Sequence, residues 1–379
     1  MKSGDLTNLI ILFLILIVLG FLYKRYTDKI EREEKSDTYE AIQRYLLDGP
    51  TLGKSKKPIL WIHVPYEYNS RKWLSFGSRS SFDLNQPYLY LTMRSIIRQC
   101  DKSFTICIID DESFRKLIPG WNINMTSISD PILSNMRTLG IAKLIYIYGG
   151  LLCPLPFVCM KDLRGLYEDG TRGGKMFVCE TINRNATSSE VDFSPSLSFY
   201  GAKKECPLMM ELCHFIETTI SNDYTAESVF LGEFSKWCMR HVQLGHFKVI
   251  DGTQIGTKTI EGKQIVIDDL ISNDYLQIYP ETYGILIPAD EILKRHKFEW
   301  FARLSEKQVL QSDTIIGNYL LLAVAPGQPG ILEPLEPAMN KEVENEFVGF
   351  WKTPNMPGLY GLKPNLLGDN MQRVPYTGR

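Results

Sequence analysis

The chain has 379 residues, 44% of them hydrophobic and 11% aromatic, enough to bury one large core or two modest ones. Its formal net charge of -2 removes the electrostatic case for a nucleic-acid partner. Eight cysteines (100, 107, 153, 159, 179, 206, 213 and 238) occur without a Cys-x-x-Cys pair or a histidine at ligand spacing, which predicts buried thiols and argues against a zinc site.

Residues 9–23, LIILFLILIVLGFLY, are uncharged, and counted from Leu6 the run approaches the ~20 residues that a bilayer core requires. This predicts a single-pass transmembrane anchor within 1–25. A cleaved signal peptide is the rival, but no small-residue cleavage site follows, and Lys24-Arg25 stands where one would lie. Lys24, Arg25, Lys29, Arg32 and Lys35 outweigh Lys2, so the positive-inside rule puts the main domain on the cytoplasmic side. The scattered cysteines agree. A lumenal orientation stays open, and only there would the sequons at Asn124 and Asn185 matter. Residues 26–57 read as a charged stalk, with Tyr39, Ile42, Tyr45 and Leu46 on one helical face, followed by a Pro/Gly/Lys linker.

The main domain is expected over 58–325. Residues 59–64, ILWIHV, and 104–109, FTICII, are continuous apolar strand patterns with a helical pattern at 89–99 between them, which predicts a parallel pair with a crossover helix. Ligands of open α/β sheets sit at the carboxyl ends of strands, so His63, Asp110 and Asp111 are candidate site residues. Asp111 has an alternative role, as N-cap of a helix starting near Ser113. Between the strands, Arg71, Arg79 and Arg94 alternate with Tyr66, Tyr68, Trp73, Phe76 and Phe82. Such a loop suits an anion and a flat ring, or else packs its aromatics on the core.

Residues 136–148 form an apolar helical pattern that stops on Gly149-Gly150 and restarts as a short strand, 151–157, broken by Pro154 and Pro156. The helix, the Tyr148-Gly149-Gly150 turn and this strand resemble the core of the capsular-polysaccharide-synthesis and DXD-sugar-binding glycosyltransferase families. That resemblance implies a Rossmann-like GT-A fold, a mostly parallel sheet flanked by helices. In those families the strand after YGG ends in Asp-x-Asp, which holds a divalent metal against the diphosphate of a nucleotide sugar. Here the matching positions are Pro154-Leu155-Pro156, and the helix positions that carry an Asp and an Arg are Thr138 and Ile141. No divalent metal is therefore expected at this strand.

A further strand is expected at 175–180 and helices at 209–219 and 228–241, residues 193–204, FSPSLSFYGAKK, resemble the families' segment on the acceptor side of the cleft, and His214, His241 and His246 are expected to be structural. Residues 249–267, with Gly252, Gly256 and Gly262, suggest a β-hairpin. Asp268, Asp269 and Glu281 follow; in some transferases of the resembling fold a late carboxylate or histidine acts as base or completes the metal site, which makes His296 and Glu299 late candidates. A last helix is expected at 315–324, and 326–379 reads as an irregular Pro/Gly-rich tail.

The resemblance implies a membrane-anchored transferase moving a sugar from a nucleotide sugar to a glycan or protein acceptor, with cations in place of the metal. Asp110 and Asp111 would be catalytic; His63, Tyr66, Arg71, Trp73, Arg79, Tyr148, Gly149 and Gly150 would bind substrate. The alternative is an inactive relative serving as a membrane-tethered structural or binding protein, for example in a viral envelope or capsid layer.

Overall fold

The computed structural model describes residues 20, 57–65, 86–222 and 227–324. Apart from Gly20, the apolar run at 6–23 lies outside them, as do the stalk, the loop carrying Tyr66, Arg71, Trp73 and Arg79, and the C-terminal tail. Among the described residues, no helix is long and apolar enough to cross a membrane.

The chain runs through β1 (Ile59–His63), α1 (Tyr88–Cys100), β2 (Thr105–Ile109), α2 (Ser113–Leu117), α3 (Ile132–Tyr148), β3 (Gly150–Leu152) and β4 (Phe157–Cys159). It continues through α4 (Arg164–Gly170), β5 (Met176–Ile182), β6 (Phe193–Ala202), α5 (Pro207–Asn222), α6 (Glu227–Leu231), α7 (Glu233–Gln243) and β7 (Phe247–Ile250). The last part comprises α8 (Ile267–Ile271), β8 (Gly284–Leu286), α9 (Ala289–Lys294), α10 (Glu299–Ala302), α11 (Glu306–Leu310) and α12 (Ile315–Val324).

The result is an α/β fold. Six strands form one sheet in the order β2-β1-β3-β6-β5-β7. β1 pairs in parallel with β2 and β3, and β5 with β7, while β6 runs antiparallel to both of its neighbours. Five strands thus share one direction and helices flank them, consistent with a Rossmann-like architecture. The apolar runs of β1 and β2 follow from this placement, because a central parallel strand is covered on both faces and has no polar side to show. Ile59, Leu60, Trp61 and Ile62 are all buried. In α1, Tyr88, Leu91, Thr92, Ser95 and Ile96 are buried, the spacing of one helical face. Helix α3 packs on α5 and buries Asn135, Leu139, Gly140, Ile141, Ala142, Leu144 and Ile145, which explains why its sequence is apolar almost all round.

Two expectations are corrected. The single strand at 151–157 is two, because proline supplies no ladder donor. β3 ends at Leu152, and β4 leaves the main sheet to pair antiparallel with β8. Residues 249–267 do not form a hairpin: Val249 and Ile250 close β7 against β5, and a single antiparallel bridge, Lys258 to Gln264, follows. The segment is instead a short helical turn at 252–254 followed by the bridge, with Ile267 already the first residue of α8. The small β4–β8 sheet rests on its own apolar cluster, including Val158, Ile285, Phe301, Ile315 and Leu320.

All eight cysteines are buried thiols. Burial pushes Cys107 up to about 12 and raises Cys153, Cys159 and Cys179 well above the ordinary thiol range.

Candidate functional site

The carboxyl ends of β1 and β2 are level with each other. His63 lies opposite Ile109 in the parallel register, and the Val64 N–H donates to the Ile109 carbonyl at 2.8 Å. The residues following β2 therefore emerge beside His63. Asp110 turns back into the start of α2: its Oδ1 accepts from the Ser113 N–H at 2.8 Å and from the Ser113 hydroxyl at 2.6 Å. The bond to the first helical amide expected of Asp111 thus comes from its neighbour, while Glu112, which directly precedes α2, makes no side-chain capping bond.

Asp111 points to the other side. His63 Nε2 lies 3.0 Å from Asp111 Oδ1. Arg137, on α3, reaches the same carboxylate from Nε at 3.0 and 3.1 Å and from Nη2 at 2.7 Å. All three side chains are largely buried, at 10%, 16% and 15% exposure for His63, Asp111 and Arg137. Burial alone pushes the Asp111 carboxyl up, but the hydrogen bonds and positive charge of His63 and Arg137 outweigh it and hold the group at about 2. The carboxylate is ionised, paired in a fork-to-fork arrangement, and orients the imidazole.

The local packing that makes this triad is visible. Phe114, fully buried, stacks on His63 with ring centroids 5.5 Å apart. The same ring fills the place where a side chain at residue 140 would stand: a Cβ on Gly140 would lie 2.8 Å from Phe114 Cε1. Gly140 thus lets α3 approach α2, one turn from Arg137.

Pro154 follows two residues after Leu152, whose register partner is Trp61, and so stands level with His63 at the same edge. Residues 154–157 make a tight turn, and its three leading carbonyls are all engaged. Pro154 O accepts from Phe157 N–H at 3.2 Å and Pro156 O from Ile287 N–H at 2.9 Å. Leu155 O accepts from the Thr92 hydroxyl at 2.7 Å. A divalent metal does not fit here, since hard cations require several oxygen donors and this turn has no side-chain oxygen and no uncommitted carbonyl. Among the described residues, no group of three or more His, Cys, Asp or Glu side chains is gathered for a metal.

The Tyr148-Gly149-Gly150 motif lies elsewhere. Leu60 pairs with Leu151, so Gly150 is beside Ile59, at the amino end of β1. That is four residues, roughly 13 Å, from the His63 edge. The Tyr148 hydroxyl donates to Leu117 O at 2.9 Å, and the Gly149 carbonyl accepts from the Trp61 indole at 3.0 Å. Gly149 and Gly150 have φ of 72° and 117°. Added Cβ atoms would lie 2.7 Å from Lys204 N and 2.2 Å from Ile59 O. The glycines serve a left-handed turn and the close approach of two strands.

The structure therefore brings His63, Asp110 and Asp111 to one edge and sets Tyr148, Gly149 and Gly150 at the other. Arg94 pairs with Glu306 on the exposed face of α1. The late acids are tied into ion pairs: Asp268 with Arg295 and Lys297, Glu281 with Lys161, and Glu299 with Arg303. Arg137 was not among the expected residues. Its signal was a cation in an apolar helix that holds just one other, Lys143, one position before Thr138. The chain matches no family model and no curated protein.

Proposed function

We propose that this chain is a membrane-anchored, glycosyltransferase-like protein of GT-A architecture whose site takes a nucleotide-sugar-class ligand without a divalent metal and does not transfer the sugar. The observation that carries the reading is the Pro154–Pro156 turn. It stands at the carboxyl edge, where the resembling families place their metal-binding acids, and its carbonyls are consumed by Phe157, Thr92 and Ile287. Of the two acids at this edge, Asp110 is engaged by Ser113, and Asp111 is neutralised by Arg137 and is too weak a base to take a proton at neutral pH. The mostly parallel sheet and the helix delivering YGG into the strand beside β1 support the same relationship. The apolar run at 6–23 supports the anchor.

A second reading, metal-free transfer, is favoured by one feature. Asp111 holds His63 by a single ring nitrogen, the arrangement of an oriented acid–base pair, and the segment carrying Arg71 and Arg79 leaves β1 from this same edge. The two readings separate in one experiment on the purified chain. Thermal stability is measured across a panel of nucleotides and nucleotide sugars with EDTA or Mn2+, and release of free sugar or transfer to glycan acceptors is followed in parallel. Stabilisation by a donor, insensitive to EDTA and without turnover, is the expected result. EDTA-resistant turnover that is lost in His63→Gln establishes the second reading, and Mn2+-dependent turnover overturns both.

A further inference from the structure

Helix α7 ends at Gln243, and Gly245, two residues on, has a φ of +72°. The Gly245 N–H donates to Val242 O and the His246 N–H to His241 O, both at 2.9 Å. These are the two bonds of a Schellman C-cap, a geometry that normally brings two apolar side chains together across the helix end. Here the two positions are His241 and His246, and their Nδ1 atoms face each other at 3.2 Å. His241 is held from three further sides: the Trp237 ring lies 4.2 Å away, the Phe247 ring stacks at 5.5 Å, and Glu211, on α5, approaches Nε2 at 3.4 Å. His246 itself is exposed.

We infer that His241 and His246 form a binding site for a borderline transition-metal ion, Zn2+ or Cu2+, through their two Nδ1 atoms, with water completing the coordination. Two nitrogen ligands at the usual Zn–N length span ~3.3 Å across a tetrahedron, close to the separation the Schellman cap already imposes. Arg240 and the one-sided exposure limit the affinity, so the ion is a clip from the end of α7 to the edge strand β7, separate from the site at the β1–β2 edge and independent of the function proposed for it.

The test is titration of the full-length protein with Zn2+ by calorimetry and with Cu2+ by tryptophan quenching, because Cu2+ at this pair would lie beside Trp237. Wild type should bind one ion whose Kd weakens tenfold or more in His246→Ala and in His246→Gln, both exposed changes that leave the fold intact. His214→Ala, at an exposed histidine elsewhere, should not change it. The same Kd in wild type and both His246 variants, or Mg2+ competing as well as Zn2+, would overturn the assignment.

Discussion

Arg137 grips Asp111 through both carboxylate oxygens, although 26 residues separate them and neither lies in the strand that presents His63. The pair has a direct pH consequence. Asp111 is lowered from 3.8 to about 2 in the folded chain, so it contributes about 2 kcal/mol of stability above pH 4. That contribution is lost as pH falls from about 4 towards 2. Asp111→Asn should therefore be less stable than wild type by about 2 kcal/mol at pH 7, and the gap should close on acidification. Urea unfolding at a series of pH values measures it; a gap that stays constant down to pH 3 contradicts the ion pair.

Removing the other partner should cost more. Arg137→Met leaves a largely buried carboxylate with only His63 beside it, a change in the range of about 3 kcal/mol. The double variant Arg137→Met/Asp111→Leu should recover part of that loss, because no unpaired charge then remains. A double-mutant cycle by chemical denaturation gives the coupling, and strict additivity would disprove it.

The glycine pair makes a sharper prediction. Gly150→Ala places a Cβ against the Ile59 carbonyl at a φ of +117°, and neither backbone segment can yield. It should destabilise by about 4 kcal/mol or prevent folding. Gly173→Ala, with φ +74° and open space around it, should cost only about 1 kcal/mol. Comparable losses at the two positions would remove the close-approach explanation.

At the turn, Thr92→Val keeps the shape of a fully buried side chain but withdraws the hydroxyl from Leu155 O. A loss of about 1 kcal/mol is expected. Pro154→Asp/Pro156→Asp tests whether the turn occupies the Asp-x-Asp positions. Two acids at one strand end repel, and a cation bound by the folded state relieves them. Mn2+ at a hundred times its Kd should then add about 2.7 kcal/mol of stability to the double variant and nothing to wild type. Equal responses would break the correspondence with the transferase strand.

Much of this edge was legible in the sequence. The apolar runs of β1 and β2 announce buried parallel strands, and strand ends in such sheets place His63, Asp110 and Asp111 together. What could not be read locally was the partner of each acid. Only Asp111 suggests itself as a cap on paper, and the actual division of labour depends on Arg137 arriving from α3, which in turn depends on Phe114 filling the gap at Gly140. The glycines of YGG were ambiguous for a related reason: a close approach was required, but the approaching atom is a carbonyl of β1 and no ligand is needed to explain it. His241 and His246 are five residues apart, outside helical ligand spacing, and only the glycine-capped helix end folds them face to face.

The turn at Pro154–Pro156 also dictates an order of events during synthesis. β4 finds its partner only when β8 has emerged, about 125 residues later, and the Pro156 carbonyl waits for Ile287. Until the ribosome has passed that point, the segment beyond β3 presents an unpaired apolar strand beside a half-built edge, so a nascent chain halted before residue 284 should be held by chaperones or aggregate, while one extended past residue 324 can close. The last third of the polypeptide is in this sense the latch of a site whose other walls are all translated by residue 160.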